Sequence, residues 1–246
     1  MIKGIYHSAA GMLPRYFKLV NISNNLANAN TTAFKADRRY FSTLLNNELV
    51  QPAAGGKPSR LADLEKGLFT DFTQGALERQ TTPTYFGLNG PGFFVLEDPD
   101  SGEKYYTRNG RFRLNASNEL VDHQGYRVLD DTGAPIVVRR HPFVVEEGGD
   151  IFIGGQSSGA MGVVTFDDPH VLVKAGDGLY RNLAGARTKA PEDTKVMQSF
   201  LEASNVNVVE EMVEMISLNR NYESSQRALV AQDESLKQAV NQISKF

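Results

Sequence analysis

Val208, Met215, Tyr222, Leu229, Leu236 and Ile243 recur at intervals of seven at the C-terminal end of this chain. That repeat commits the segment to a long helix with one apolar seam. Met212 and Val240 occupy the companion seam position, whose other occupants, Asn219, Gln226 and Asp233, are polar. Such a seam suits a partner surface that hydrogen-bonds at fixed heights better than a simple two-stranded zipper. The spacing predicts a helix from about residue 206 to 244, with Ser204-Asn205 as its N-cap. Glu210, Glu211 and Glu214 then fall in the early turns, where the helix dipole favours anions.

The N-terminal end carries a second helical pattern. Ile2, Ile5, Ala9, Met12, Tyr16, Leu19 and Leu26 follow a 3-4 ladder in which Ser23 is the one polar member, so residues 2–26 are predicted helical. Pro14 lacks a backbone donor and crowds the preceding turn, which predicts a kink or a restart between Gly11 and Pro14. The Asn-rich run over residues 21–30 predicts the helix end near 28–32.

The two ends also differ in sign. Residues 1–45 hold six cations and one anion, net +5, and residues 192–246 hold five cations and nine anions, net −4. Opposite charges fit two ends that lie side by side. A single pairing of these helices leaves seam positions uncovered, so neighbouring copies are expected to cover Ile5, Met12, Leu19, Leu26, Val208, Met212, Met215, Tyr222, Leu229, Leu236, Val240 and Ile243. Heterologous contacts that do not close build a helical polymer.

Between the ends the grammar changes to short β-branched or aromatic runs broken by turn dipeptides. Phe93-Phe94-Val95-Leu96 precedes Asp98-Pro99-Asp100-Ser101-Gly102, and Tyr105-Tyr106-Thr107-Arg108 precedes Asn109-Gly110, which predicts a tight hairpin. The chain is therefore read as α+β: an N-terminal helical axial segment (1–45), a connector (46–67), an antiparallel, hairpin-rich all-β domain (68–190), and a C-terminal heptad helical segment (191–246). Phe93, Phe94, Tyr105, Tyr106 and Phe112 are the expected aromatic core of the β domain.

Chemistry is excluded more than suggested. With no Cys there is no thiolate nucleophile, thiolate metal site or disulfide frame. His7, His123, His141 and His170 lie in separate elements without i, i+4 partners, so no metal or general-base site is predicted. Gly87-Leu88-Asn89-Gly90-Pro91-Gly92 leads into a strand, not a helix N-terminus, and reads as a turn instead of a phosphate loop. Asp98–Gly102 and Asp130–Gly133 lack the remaining calcium ligands and read as hairpin turns. A net charge of −3 argues against a broad nucleic-acid surface. No apolar run approaches membrane-spanning length, and no secretory signal is expected, because Tyr6, His7, Pro14 and Arg15 interrupt any apolar core. No catalytic residue, cofactor, metal or small-molecule substrate is predicted.

Two long runs at the ends go beyond periodicity. Ile22-Ser23-Asn24-Asn25-Leu26-Ala27-Asn28-Ala29-Asn30-Thr31-Thr32-Ala33-Phe34-Lys35 and Leu201-Glu202-Ala203-Ser204-Asn205-Val206-Asn207-Val208-Val209-Glu210-Glu211-Met212-Val213 resemble the terminal signatures of the flagellar basal-body rod and hook axial proteins. Gly92-Phe93-Phe94-Val95 and Tyr106-Thr107-Arg108-Asn109-Gly110-Arg111-Phe112 are similar to their β-domain motifs, and Gly125-Tyr126-Arg127-Val128-Leu129 looks most like the proximal-rod members, with the distal-rod and hook-type members next.

The resemblance implies a structural subunit of the periplasm-spanning rod of the basal body. Its terminal helices would form a coiled-coil-like axial core in a helical tube that transmits torque and encloses the export channel. The implied partners are further copies, other rod proteins and the flagellar type III export apparatus. Asn24, Asn25, Leu26 and Asn28, with Phe41 and Leu45 of Phe41-Ser42-Thr43-Leu44-Leu45, are the implied export signal. Spacing alone equally makes Phe41 and Leu45 one apolar face of a short helix. A secreted fibre or adhesin subunit shares the β-rich centre but needs no opposite end charges. A β-barrel enzyme needs a constellation of ligands, acids or bases that the sequence does not offer.

Overall fold

The computed structural model describes residues 2–39, 68–138, 143–183, 185–186, 188–190 and 193–243. It is α+β, and every strand pair it describes is antiparallel. The chain divides into two compact units, one drawn from residues 1–27, 37–70 and 207–246 and the other from 28–36 and 71–206. The expected connector over 46–67 lies outside the described residues.

The first unit is a helix pair with a short ribbon. Helix α1 (Ile2–Ala27) packs against helix α2 (Val208–Ile243), and Asp37–Arg39 pairs with Leu68–Thr70. The helices run antiparallel, because Asn25 meets Glu211, Lys18 meets Glu214, and Arg15 meets the Asn221 carbonyl and the Ser225 hydroxyl. Of the expected kink or restart at Pro14, the restart does not occur: helix α1 is one continuous helix through Pro14. Proline removes one donor from the ladder, and a helix supported along its length by a partner tolerates a single missing bond better than an isolated one.

Two details of α2 correct the sequence reading. Its cap is Asn207, not Ser204-Asn205: the Asn207 Oδ1 accepts the Glu210 N–H at 3.4 Å and its carbonyl accepts the Glu211 N–H at 3.0 Å. Ser204 instead accepts the Val206 N–H, and Asn205 is committed to the β unit. The buried or half-buried face of α2 contains the heptad positions Val208, Met215, Tyr222 and Leu229, but its companions are Glu211, Leu218, Ser225 and Gln232. Both the third and the fourth residue after a seam position lie near it on a helix. Helix α1 occupies the third-residue side, which leaves Met212 exposed.

The second unit is built around strand Phe93–Glu97, which pairs with Lys104–Thr107 and Arg127–Val128 and, at its start, with Val163–Phe166. Phe94 and Leu96 enter one hydrophobic core with Phe86, Phe112 and Val128, while Phe93 and Val95 enter another with Tyr106, Phe166 and Tyr180. A strand covered on both faces has no polar alternation, which explains the continuous apolar run in the sequence. Four of the five expected core aromatics are buried; Tyr105 is half-buried, its ring 5.1 Å from that of Tyr126.

The Asp98–Gly102 turn joins Phe93–Glu97 to Lys104–Thr107 as expected, held by Asp98 accepting the Asp100 N–H and the Ser101 hydroxyl. The Asn109-Gly110 hairpin does not form. Lys104–Thr107 is already paired on both sides, with Phe93–Glu97 and Leu179–Arg181, so the chain has no free edge on which to fold back. Gly110 serves close approach instead: a Cβ there would stand 1.8 Å from the Phe86 carbonyl oxygen, whose own amide donates to the Gly110 carbonyl. Strands continue past residue 190, where Lys195–Gln198 pairs with Phe86–Asn89 and Phe200–Glu202 with Leu77–Arg79.

Candidate functional site

The two terminal signatures meet in space, as one clasp within each unit. In the β unit, strand Phe200–Glu202 brings Glu202 beside the segment 28–36, where the Ala33 N–H donates to the Glu202 carbonyl at 2.7 Å. Ala33 is buried and left-handed, with φ of 55°, and this aims the following residues inward. Lys35 then extends its ammonium to Glu202 Oε1 at 2.5 Å and to the Thr73 carbonyl at 2.6 Å, with both charged side chains 0% exposed. The same Oε1 accepts the Gly75 N–H at 2.9 Å. Arg108 approaches Glu202 Oε2 at 3.5 Å from the other side, and its guanidinium carbon lies 5.4 Å from the centre of the Phe93 ring.

This cluster holds two cations and one carboxylate away from water. Burial pulls the Lys35 ammonium below its ordinary range, and Glu202 opposes that shift. Burial acts on Arg108 in the same direction, again against Glu202. Asn205 completes the clasp. Its Oδ1 accepts the Ala36 N–H at 2.9 Å, and its amide donates to the Asp71 carbonyl at 2.8 Å and to Thr73 Oγ1 at 3.0 Å. Lys174 caps the segment from outside, donating to the Lys35 carbonyl at 2.9 Å with its ammonium 4.9 Å from the Phe34 ring centre.

The helical unit has its own clasp. Asn25, buried on α1, reads the backbone of Asp37 in both directions, accepting its N–H and donating to its carbonyl, each at 3.0 Å. The same amide donates to Glu211 Oε1 at 3.3 Å. Burial pushes the Glu211 carboxyl up, opposed by Asn25 and Arg38 and assisted by Glu214 and Glu210.

The predicted assembly residues are partly placed by this geometry. Met12, Leu19, Leu26, Val208, Met215, Tyr222 and Leu229 are half-buried on α1 and α2, and Met212 is exposed. Ile5, Leu236, Val240 and Ile243 lie on the helices, with side chains outside the described residues. Of the predicted export residues, Asn25 is built into the helical clasp, Asn24 is exposed, and Asn28 accepts from Thr31 through both its carbonyl and its side chain. Phe41 and Leu45 lie outside the described residues.

Lys35, Arg108, Glu202 and Asn205 stand inside the quoted signatures, yet the sequence pattern assigned no role to the first three and made Asn205 only part of the expected α2 cap. The available signal was a lysine between Phe34 and Ala36 and a glutamate between Leu201 and Ala203, charges flanked by apolar or small residues on both sides. Among the described residues, no three His, Asp or Glu side chains gather as a metal site requires.

The family described as flagellar basal body rod FlgEFG protein C-terminal matches residues 197–243, from the Glu202 strand through α2, and that described as flagellar hook protein FlgE/F/G D1 domain matches residues 87–154 of the β unit. The chain is 34% identical to the flagellar basal-body rod protein FlgF of Caulobacter vibrioides over 92% of its own length and 91% of that protein's. It is 30% identical to the flagellar basal-body rod protein FlgG of Bacillus subtilis over 98% of this chain and 99% of that one. It is also 28% identical to the flagellar hook-basal body complex protein FlhO of the same organism over the whole of both chains. With matches that span both clasps and both helices, the chain belongs to the flagellar basal-body rod protein family.

Proposed function

We propose that this protein is a non-catalytic structural subunit of the flagellar rod, with the proximal rod its favoured position. In this reading α1 and α2 join those of neighbouring copies in a coiled-coil-like axial core, and the helical tube so formed transmits torque and encloses the export channel. The observation that carries it is the end-to-end likeness to rod proteins, joined to an antiparallel helix pair that leaves large apolar side chains in water. The β unit supplies a stiff, doubly cored contact module, and its exposed turns offer surfaces to adjacent subunits.

Its partners are further copies and other rod proteins, and it reaches them through the flagellar type III export apparatus, reading Asn24, Asn25, Leu26 and Asn28 with Phe41 and Leu45. The test is fractionation of a flagellated host carrying a tagged chain. Recovery with isolated basal bodies, and loss of rods on deletion, supports the reading; shedding into the medium as free fibres would refute it. Secretion of a Phe41→Ala, Leu45→Ala double variant at the normal level would remove those two residues from the export signal without touching the structural role.

A further inference from the structure

Two dipeptides of this chain, Asn89-Gly90 and Asn109-Gly110, place an asparagine before a residue with no Cβ. That order favours attack of the following peptide nitrogen on the side-chain carboxamide, because no side chain crowds the nitrogen and the glycine backbone turns freely. The fold treats the two differently. Asn109 is locked: its Oδ1 accepts the Arg111 N–H at 3.1 Å, and its own N–H donates to Thr107 Oγ1 at 3.0 Å. Gly110 is buried, and its carbonyl accepts the Phe86 and Phe112 N–H groups at 3.0 and 2.9 Å, so ring closure there would have to break both bonds. Asn89 ends the strand Phe86–Asn89 and is exposed, and its carboxamide has no partner among the described residues. Gly90 follows with φ of 118°. Among the described residues its N–H has one partner, Gln74 Oε1 at 2.9 Å, in an exposed bond; Gln74 Nε2 donates to the Leu88 carbonyl at 3.1 Å.

We propose that Asn89 is a self-modification site at which the folded chain deamidates, with Gln74 as the positioning residue that sets the rate. When Gln74 swings away, the Gly90 nitrogen reaches the Asn89 Cγ. The N–Cγ bond forms, the Cγ–Nδ2 bond breaks, and Nδ2 leaves as ammonia with the proton from Gly90. Water then opens the cyclic imide at either carbonyl: cleavage at Cγ gives aspartate, and cleavage at the main-chain carbonyl gives isoaspartate. Water is the sole co-reactant, and nothing is oxidised or reduced. The product carboxylate stands opposite Lys195, whose ammonium lies 2.6 Å from Glu147, so the change adds an anion beside an exposed ion pair. Isoaspartate also adds one backbone atom just before Gly90, where a Cβ would already stand 2.7 Å from the Asp193 carbonyl oxygen. It therefore loosens this end of the pairing with Lys195–Gln198.

The test incubates the full-length chain in mildly alkaline buffer made with heavy-oxygen water and maps its peptides by mass spectrometry. The expected result is label entering at Asn89, with the isoaspartate fraction methylated by an isoaspartyl methyltransferase, while Asn109 stays intact. In denaturing urea both dipeptides should react at similar rates, since the fold alone separates them. Gln74→Ala deletes one exposed hydrogen bond, which should speed the reaction at Asn89 about two- to tenfold. Asn109 should stay intact in that variant, which reports that the β unit is still folded. Native Asn89 that reacts no faster than native Asn109 would overturn the proposal, and an unchanged Asn89 rate in Gln74→Ala would remove Gln74 from it.

Discussion

Replacing Glu202 by Gln tests the charge count of the buried clasp. The side chain keeps its volume, and the Oε1 position still accepts from Gly75 and Lys35. What disappears is the carboxylate in contact with both Lys35 and Arg108, so two buried cations lose their common counter-charge. Stripping one partner from a buried ion pair costs about 3–5 kcal/mol. Lys35→Met removes a charge too, yet it leaves Glu202 beside Arg108 as a balanced pair. Its cost is that of acceptors at Glu202 and Thr73 without their donor, about 1–3 kcal/mol. Glu202→Gln should therefore lower stability more than Lys35→Met, although both break the same 2.5 Å contact.

Urea denaturation followed by far-ultraviolet circular dichroism reads both variants against the unmodified chain. In thermal melts a kcal/mol corresponds to about 2–4 °C for a chain of this size, so the Glu202→Gln midpoint should fall by about 6–20 °C. The pH dependence has a fixed sign. Because the Lys35 pKa is lowered on folding, the unfolded chain holds that proton more tightly between the lowered value and 10.5, and the Lys35 contribution makes the protein more stable as pH rises through that window. The difference between the unmodified chain and Lys35→Met should show this rise. A Lys35→Met variant that is less stable than Glu202→Gln at pH 7 would refute the two-cation, one-anion account.

Three further outcomes follow from named contacts. Glu211 has a carboxyl pKa raised by burial, so its favourable contribution is complete below 4.5 and is lost as pH climbs through the raised value; Glu211→Gln should melt higher than the unmodified chain at pH 7 and flatten the dependence from pH 4.5 upward. Asn207→Ala should lose about 1 kcal/mol of stability while Ser204→Ala leaves the α2 cap unchanged, a contrast measurable by chemical denaturation. Gly110→Ala drives a methyl into the Phe86 carbonyl and should cost about 1–3 kcal/mol or more, read as a lowered urea midpoint.

What the sequence revealed depends on whether a signal was periodic or positional. The heptad of α2 was legible because Val208, Met215, Tyr222 and Leu229 all share one side of a helix, and the helix spans Val208–Ile243 against an expectation of 206–244. Phe93-Phe94-Val95-Leu96 was legible as a strand, and its lack of alternation records two cores instead of one. The companion seam was not legible, because Glu211 and Met212 are both within reach of the seam and only the placement of α1 separates them. Asn109-Gly110 is a strong local hairpin signal overridden by pairing with Leu179–Arg181, more than 70 positions away in sequence. The cap failed for a related reason: Asn205, one of the two residues expected to form it, is taken by contacts to Ala36, Asp71 and Thr73.

The clasp was the least legible feature, and its chemistry explains why charges stand where apolar residues would pack. Lys35 and Glu202 are separated by 167 positions, so their contact closes a very long loop. The entropic cost of closure grows only slowly with length, by about 0.6 kcal/mol per doubling. Length is thus a weak obstacle, and the harder requirement is to select one register among many for a short, Asn- and Thr-rich segment that offers little shape of its own. An apolar side chain in place of Lys35 would find near-equivalent burial in several registers. An ammonium that must meet Glu202 and the Thr73 carbonyl together is satisfied in one, and every other register leaves a buried charge unpaired. The same argument covers Asn25, whose amide matches the N–H and the carbonyl of Asp37 at once, a pairing that a shift of one residue destroys. In a subunit of a repeating rod, a misplaced terminal segment would be propagated to every neighbour that packs on it. A polar clasp that tolerates a single placement confines the error to the copy that makes it.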